Sequence, residues 1–191
     1  MKIGVLALQG DFYEHLSCFK KLNVDTFEVR SKSDIESING LVIPGGESTT
    51  ISKLLKSTKL DALITDKSSK GMPIWGTCAG LIMISKNITE GDPKPLGLLD
   101  ITTSRNYYGR QIDSFIENIQ FNSDEKFFEA VFIRAPAIIK LGRNVKTIAR
   151  SSDNTPVAVR QNNILGTSFH PELTSDLRIH KYFIEMVDII N

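Results

Sequence analysis

Residues Pro73–Ser85 read PIWGTCAGLIMIS. A short apolar run meets a glycine, a cysteine stands two residues on, and a second glycine opens another apolar run. The spacing Gly76, Cys78, Gly80 is that of a nucleophile elbow, where a strand ends abruptly, a helix begins and the residue at the tip is exposed. Glycines there supply space and dihedral freedom. The context this requires is a strand over Met72–Trp75 and a helix over Ala79–Ser85. A sulfur at that helix start gains from the dipole and the free N–H groups, which favour the thiolate. Free cysteine is also among the most buried residue types, so the pentapeptide alone fits a packed hydrophobe as well as a nucleophile. Cys18, mid-helix in HLSCFKKL without flanking glycines, reads as a packing residue.

Working outward, short apolar runs alternate with helical patterns. Ile3–Leu8 is continuous enough for a strand buried on both faces, as in a parallel sheet. Asp11–Leu22 follows as a helix, with Phe12, Leu16 and Phe19 on one face. Asp25–Val29 and Gly40–Ile43 are strands, the second stopped by Pro44-Gly45-Gly46. A helix starts near Glu47 or Ser48 and carries Ile51, Leu54 and Leu55. Another spans about Asp61–Ser69 and leads into the elbow strand. This order predicts an α/β fold of the flavodoxin-like, three-layer kind, with a central, mostly parallel sheet. Beyond Leu99 the tempo changes to strands: IENIQF, EAVFI, KTIAR, PVAVRQ and ILGTSF, an antiparallel or mixed extension of the sheet. Asp176–Ile190 is helical again, with Ile179, Phe183, Met186, Val187 and Ile190 on one stripe and Thr174, Ser175 and Asp176 as candidate caps.

The chain has 191 residues, 41% hydrophobic and 24% charged, which suits one globular domain over residues 1–191. A formal net charge of +1 gives no support for nucleic acid or an anionic membrane as partner. No apolar run reaches the roughly 18 residues of a membrane span. MKIGVLALQGDF reads as a first strand and not a signal peptide. Two distant cysteines make no disulfide framework, so the expected location is cytoplasmic. None of the three histidines and two cysteines is at metal-ligand spacing, and no metal or cofactor is expected.

A cysteine nucleophile needs a histidine, and the histidine an orienting acceptor. His170-Pro171-Glu172 offers both after the run ILGTSF; in an extended stretch, residues two apart share a side, so Glu172 can hold the His170 ring. His15, on the inner side of a helix, and His180, expected at the solvent edge of the last helix, are weaker candidates. Pro44–Thr50 (PGGESTT) is a glycine-rich turn at a helix start. It lacks the lysine and spacing of a P-loop, and Glu47 would repel phosphate. Backbone donors for an oxyanion suit it better; a plain turn capped by Ser48 or Thr49 is the alternative.

These elements together resemble the class I, triad-type glutamine amidotransferases, and among them the glutaminase subunits of two-component pyridoxal 5′-phosphate synthases. The resemblance runs through Gly4–Gly10 (GVLALQG), Glu14-His15, Gly40–Thr50 (GLVIPGGESTT), Gly76–Leu81 (GTCAGL), Leu96–Leu99 (LGLL), Arg105-Asn106, Gly109–Phe115 (GRQIDSF), Phe132–Pro136 (FIRAP) and Ser168–Thr174 (SFHPELT). The elbow and the HPE are common to the class; PGGESTT, GRQIDSF and FIRAP are specific to the branch. The resemblance implies Cys78 as nucleophile, His170 as base and acid, and Glu172 as its orienter. It implies an oxyanion hole from Gly46 and Ala79, and glutamine held by Gly46, Glu47, Ser48, Arg105, Ile133 and Arg134. A guanidinium such as that of Arg105 suits the substrate α-carboxylate. Asp11 and Tyr107 stand where the branch usually has small residues.

The activity so implied is hydrolysis of L-glutamine to glutamate and ammonia through a glutamyl thioester. The ammonia would pass to a separate (β/α)₈-barrel synthase subunit, since no second catalytic domain fits in 191 residues. Three other readings remain at this point. One is an amidotransferase subunit serving another acceptor, as in histidine or para-aminobenzoate synthesis. The others are a flavodoxin-like peptidase or deglycase, which would not need Arg105 and Arg134, and a non-catalytic module with a relict site.

Overall fold

A computed structural model of the chain describes residues 1–105, 114–121 and 126–190. Asn106, Tyr107 and most of GRQIDSF lie outside the described residues. Five parallel strands form the centre: β1 (Lys2–Leu6), β2 (Asp25–Val29), β3 (Gly40–Ile43), β4 (Ile74–Thr77) and β12 (Ile164–Thr167). Four antiparallel strands extend the sheet: β7 (Phe115–Phe121), β8 (Phe128–Phe132), β10 (Lys146–Arg150) and β11 (Pro156–Gln161). The order across it is β2-β1-β3-β4-β12-β11-β10-β7-β8. A smaller sheet joins β5 (Ser85–Ile88), β6 (Leu99–Ser104) and β9 (Ala137–Leu141).

Alternation along the central strands builds two cores. Ile3, Val5, Val42, Trp75 and Leu165 point to one face and meet Phe19 of α1 (Phe12–Lys21) and Ile179, Phe183, Met186 and Val187 of α6 (Arg178–Ile190). Their neighbours Leu6, Leu41, Ile43, Ile74 and Ile164 point to the other face. There they meet Ile35 of α2 (Lys32–Glu36), Ile51 and Leu55 of α3 (Ser48–Thr58), Ile64 of α4 (Leu60–Ser69) and Leu81 and Met83 of α5 (Ala79–Ile84). Period-2 alternation between two apolar faces is why these strands read as unbroken apolar runs. The three-layer α/β expectation holds.

Some elements differ from the sequence reading. ILGTSF takes the mixed form of the expected extension, and at the heart of the sheet instead of beyond it: β12 pairs parallel with β4 and antiparallel with β11. It therefore closes the parallel half. The elbow strand continues to Thr77, because Gly76 and Thr77 keep ladder pairs with Gly166 and Thr167. Helix α2 was not anticipated, although Ser31 and Asp34 form a capping box that marks its start. The sequence reading also lacks β5, β6 and β9, the whole of the smaller sheet.

In doubly wound sheets, ligands bind outside the carboxyl ends of the strands. Here the ends of β1, β3, β4 and β12 present Ala7–Asp11, Pro44–Glu47, Cys78 and Ser168–His170 respectively.

Gly80 makes this convergence possible. A Cβ on it would stand 1.9 Å from the Ile43 carbonyl oxygen, and one on Gly76 would stand 2.5 Å from the Gly80 carbonyl oxygen. Alanine at an ordinary helix glycine stabilises by about 1 kcal/mol. Gly80→Ala should instead destabilise by about 3 kcal/mol, the upper part of the overpacking range, because α5 must leave β3. A denaturant midpoint equal to or above wild type would contradict this packing.

Candidate active site

Cys78 caps α5 with φ 49° and ψ −106°. The strained conformation falls on the cysteine itself, while Gly76 and Gly80 are needed for space. A positive φ in a residue with a side chain costs of order 1–3 kcal/mol and persists only where the surroundings enforce it. The Cys78 N–H donates to the Thr167 carbonyl at 2.9 Å, and its Sγ lies 3.7 Å from the Ile133 carbonyl. Ala79 is the first residue of α5, so its N–H has no acceptor within the helix.

His170 follows β12 and is anchored by its N–H to the Val131 carbonyl of β8 at 2.8 Å. Its Nδ1 lies 2.7 Å from Glu172 Oε1. The segment is not extended, as the spacing argument assumed: Pro171–Leu173 is a 3-10 turn with proline at its start. The turn still brings Glu172 under the ring, and both residues are buried. Burial alone would push the His170 pKa down. Hydrogen bonds to Cys78 and Glu172, with their charges, outweigh it and lift the value to about 10. Burial raises Glu172 in turn, against the lowering pull of His170. The pair is therefore one coupled unit, in which both partners of His170 favour its protonated form.

Glu47 caps α3, where Ser48 or Thr49 was the alternative. Its Oε2 accepts from the Thr50 N–H at 2.8 Å and from the hydroxyls of Thr49 and Thr50. These bonds overcome the effect of partial burial and lower its pKa to about 2. Glu47 Oε1 meets Arg105 Nη2 at 3.3 Å, and Arg105 Nη1 donates to the Asp92 carbonyl at 3.0 Å. Thus Glu47 and Arg105 meet at the rim, and Ser48 is buried beneath it. Gly46 has φ 146°, and a Cβ there would lie 2.6 Å from Gln9 Oε1, which accepts the Glu47 N–H at 2.8 Å. Ile133 and Arg134 are exposed after β8, and Arg134 has φ 46°. Of the expected glutamine-binding positions, Ile133 reaches Cys78 through its carbonyl, and Glu47 and Arg105 meet each other.

Two histidines were undervalued. His180 is fully buried, not at a solvent edge. It follows Ile179 on the inward stripe of α6, and its ring stands 5.0 Å from both Phe19 and Trp75. His15, also fully buried, places Nδ1 3.1 Å from His180 Nε2 and Nε2 3.3 Å from Glu172 Oε2. The signal was in the sequence: His15 lies four residues before Phe19, on its helix face. Asp11 Oδ2 lies 3.6 Å from His170 Nδ1, so this departure from the branch pattern stands against the triad. Ligand atoms of Asp11, His170 and Glu172 lie within 4.8 Å of one another, but the His170–Glu172 hydrogen bond occupies this cluster.

A cysteine at a strained strand–helix turn, facing a buried histidine–carboxylate pair on a doubly wound sheet, defines a thiol-dependent acyl-transfer site. The chain belongs to the SNO glutamine amidotransferase family, whose model matches residues 5–189. It is 49% identical over 187 residues to the pyridoxal 5′-phosphate synthase subunit PdxT of Thermosipho africanus, covering 98% of this chain and 99% of that protein. It is 51% identical to the protein of that name from Dehalococcoides mccartyi, covering 97% of each. A crystal structure described as glutamine amidotransferase superposes with TM-score 0.92 at 42% identity, covering 97% of this chain and 98% of the other. Among the described residues no helix is long and apolar enough to cross a membrane.

The buried histidines set a pH dependence of folding. Burial lowers His180 from 6.5 to about 3 and, with the neighbouring His180 and His170, holds His15 well below 6.5. A depressed folded pKa gives stability that is complete above 6.5 and lost as pH falls toward the folded value. Each histidine should contribute a fall of about 1.4 kcal/mol per pH unit in that window. His180→Phe should flatten the pH dependence of the denaturant midpoint between pH 6 and about 4. An unchanged slope would show that His180 is protonated in the folded protein.

Proposed function

We propose that residues 1–191 form one glutaminase domain that hydrolyses L-glutamine and delivers the ammonia to a synthase subunit making pyridoxal 5′-phosphate. Cys78 held at φ 49° beside His170, with Glu172 2.7 Å behind the ring, carries this reading. The family membership and the full-length likeness to proteins named pyridoxal 5′-phosphate synthase subunit PdxT support the acceptor pathway over other amidotransferases.

In this reading the Cys78 thiolate attacks the side-chain amide carbon of glutamine. The N–H groups of Gly46 and Ala79 hold the developing oxyanion, a contribution of about 3–4 kcal/mol per donor in comparable acyl transfers. His170, raised to about 10, carries the proton that the departing ammonia needs. A glutamyl thioester remains, and neutral His170 then takes a proton from water as the water attacks it. The resulting tetrahedral species expels the thiolate and releases glutamate. Gly46, Glu47, Ser48, Arg105, Ile133 and Arg134 hold the substrate, with Arg105 facing its α-carboxylate. Glu47 and Arg105 pair with each other at 3.3 Å, which supports their serving the opposite charges of one zwitterion.

The partner is a separate (β/α)₈-barrel synthase chain. Gln9 clamps the Glu47 N–H and the Asp11 N–H donates to the Gly45 carbonyl, so the Pro44–Glu47 loop and the segment between β1 and α1 are mechanically joined. This supports control of the oxyanion donors by a partner that touches the Gln9 segment. Two free, buried cysteines suit a reducing cytoplasm.

Cys78→Ala should lower ammonia release from glutamine by roughly 10⁴-fold or more. Adding the synthase subunit should raise the rate of wild type only. Turnover by Cys78→Ala would overturn the assignment of the nucleophile. High wild-type turnover unchanged by the synthase would overturn partner control.

A further inference from the structure

Behind the triad, away from substrate, lies a second row of buried histidines that glutamine hydrolysis as described leaves unused. Glu172 turns Oε1 to His170 and leaves Oε2 buried without a hydrogen-bond partner among the described residues. His15 Nε2 lies 3.3 Å from that oxygen, off the line of a hydrogen bond, and 3.2 Å from Thr77 Oγ1. The same helix face brings Cys18 Sγ to 3.7 Å from the Glu172 carbonyl. One face of α1 thus holds both ends of this residue.

The tautomers follow from the partners. His180 Nδ1 is buried with no hydrogen-bond partner among the described residues. An orphaned buried N–H is costlier and rarer than an under-used acceptor, so Nδ1 is a lone pair and the proton sits on His180 Nε2. That N–H donates to His15 Nδ1 at 3.1 Å. His15 then carries its proton on Nε2, toward Thr77 and Glu172. The reverse tautomers would strand an N–H on His180 and set a His15 lone pair against a carboxylate.

We propose that His15 is a positioning residue for glutamine hydrolysis: its Nε2–H swings from Thr77 Oγ1 to Glu172 Oε2 to steady the carboxylate that faces the His170 imidazolium, and His180 fixes the tautomer that makes this possible. The inference rests on the reading of Cys78, His170 and Glu172 as the triad. The titratable groups facing Glu172 are His170 on its own turn, His15 and Cys18 from α1 and Asp11 from the loop before it, with His180 of α6 behind His15. Burial already raises the Glu172 pKa. Without the His15 donor its carboxyl would hold a proton nearer neutrality, and His170 would lose its negative partner.

The test uses glutamine hydrolysis with the synthase subunit present, for wild type, His15→Leu, His15→Gln and Cys78→Ala. His15→Leu removes the donor and keeps a core side chain; His15→Gln keeps an amide N–H near the Nε2 position. His15→Leu should lose kcat by about 10-fold or more, the worth of one hydrogen bond to a charged group, with KM within about two-fold. Its acid limb of kcat should move up by about one pH unit. His15→Gln should stay within about three-fold of wild type. Equal losses in the two variants, or a loss in KM alone, would overturn the proposal. Wild-type kcat in His15→Leu, with Cys78→Ala inactive, would overturn it and leave the triad standing. Turnover by Cys78→Ala would instead strike the triad reading. Long-range ¹H–¹⁵N spectra of the wild-type protein need no variant to fold: protonated Nε2 on His15 and His180 is expected, and protonated Nδ1 on either would overturn the proposal.

Discussion

The rest of the site depends on the approach of Gly80 to the carbonyl of Ile43, so close that a Cβ would stand 1.9 Å from it. This contact presses α5 onto β3 and leaves no room for a relaxed turn. The backbone reverses within one residue, and Cys78 takes the φ of 49°. On the other side the Cys78 N–H is bonded to Thr167, the last residue of β12. The elbow is thus held between two neighbouring strands. Because Thr77 pairs with Thr167, the β4–β12 register also sets where His170, three residues on, stands relative to the sulfur. A slip of one residue would turn every side chain of β12 to the opposite face and move His170 away. The geometry of catalysis is a consequence of ladder pairing in a strand that is buried on both faces.

Electrostatics then builds on that frame. A buried carboxylate is costly unless it is paired and hydrogen-bonded. Glu172 is placed where His170 answers one oxygen at 2.7 Å, and burial keeps water from competing for either. The imidazole also answers Cys78, which is why its proton affinity rises despite burial. Glu47 shows the opposite device at the rim. There, exposed to solvent, a carboxylate is fixed by a helix start and two threonines and its pKa drops to about 2. A carboxylate kept ionised suits recognition of a cationic group, whereas one coupled to an imidazole suits proton transfer.

Much of this was legible in the sequence, and the parts that were not have a common cause. The parallel strands and their helices showed because apolar runs alternate between two faces. Cys78, His170 and Glu172 showed because an elbow and an HPE are local patterns. What depends on long-range pairing did not show. ILGTSF has the same composition whether it joins a parallel or an antiparallel neighbour, and only the sheet order places it beside β4. Charged residues flank His180 in the sequence and give it the pattern of a surface residue, yet it is fully buried. The inward stripe of α6 is wide enough to include the residue after Ile179, and rings of Phe19 and Trp75 were waiting there from other elements. The extended reading of His170-Pro171-Glu172 gave the right neighbour by the wrong geometry, since proline favours the start of a helical turn.

The histidine row makes the same point about chemistry. A neutral, buried histidine offers a single N–H and a single lone pair, and it has no charge to repel the imidazolium that forms in front of it. Lysine in the place of His15 would bring a second cation within reach of the triad. Glutamine could donate but would give His180 an amide partner of either polarity. A neutral histidine transmits direction across its ring: a proton fixed on one nitrogen leaves the other as acceptor. With His180 donating to His15, the His15 Nε2–H stands 3.3 Å from one oxygen of Glu172 while His170 holds the other. Once His15 swings onto Oε2, the negative charge that steadies the active imidazole is held between two donors, and its position no longer depends on one hydrogen bond.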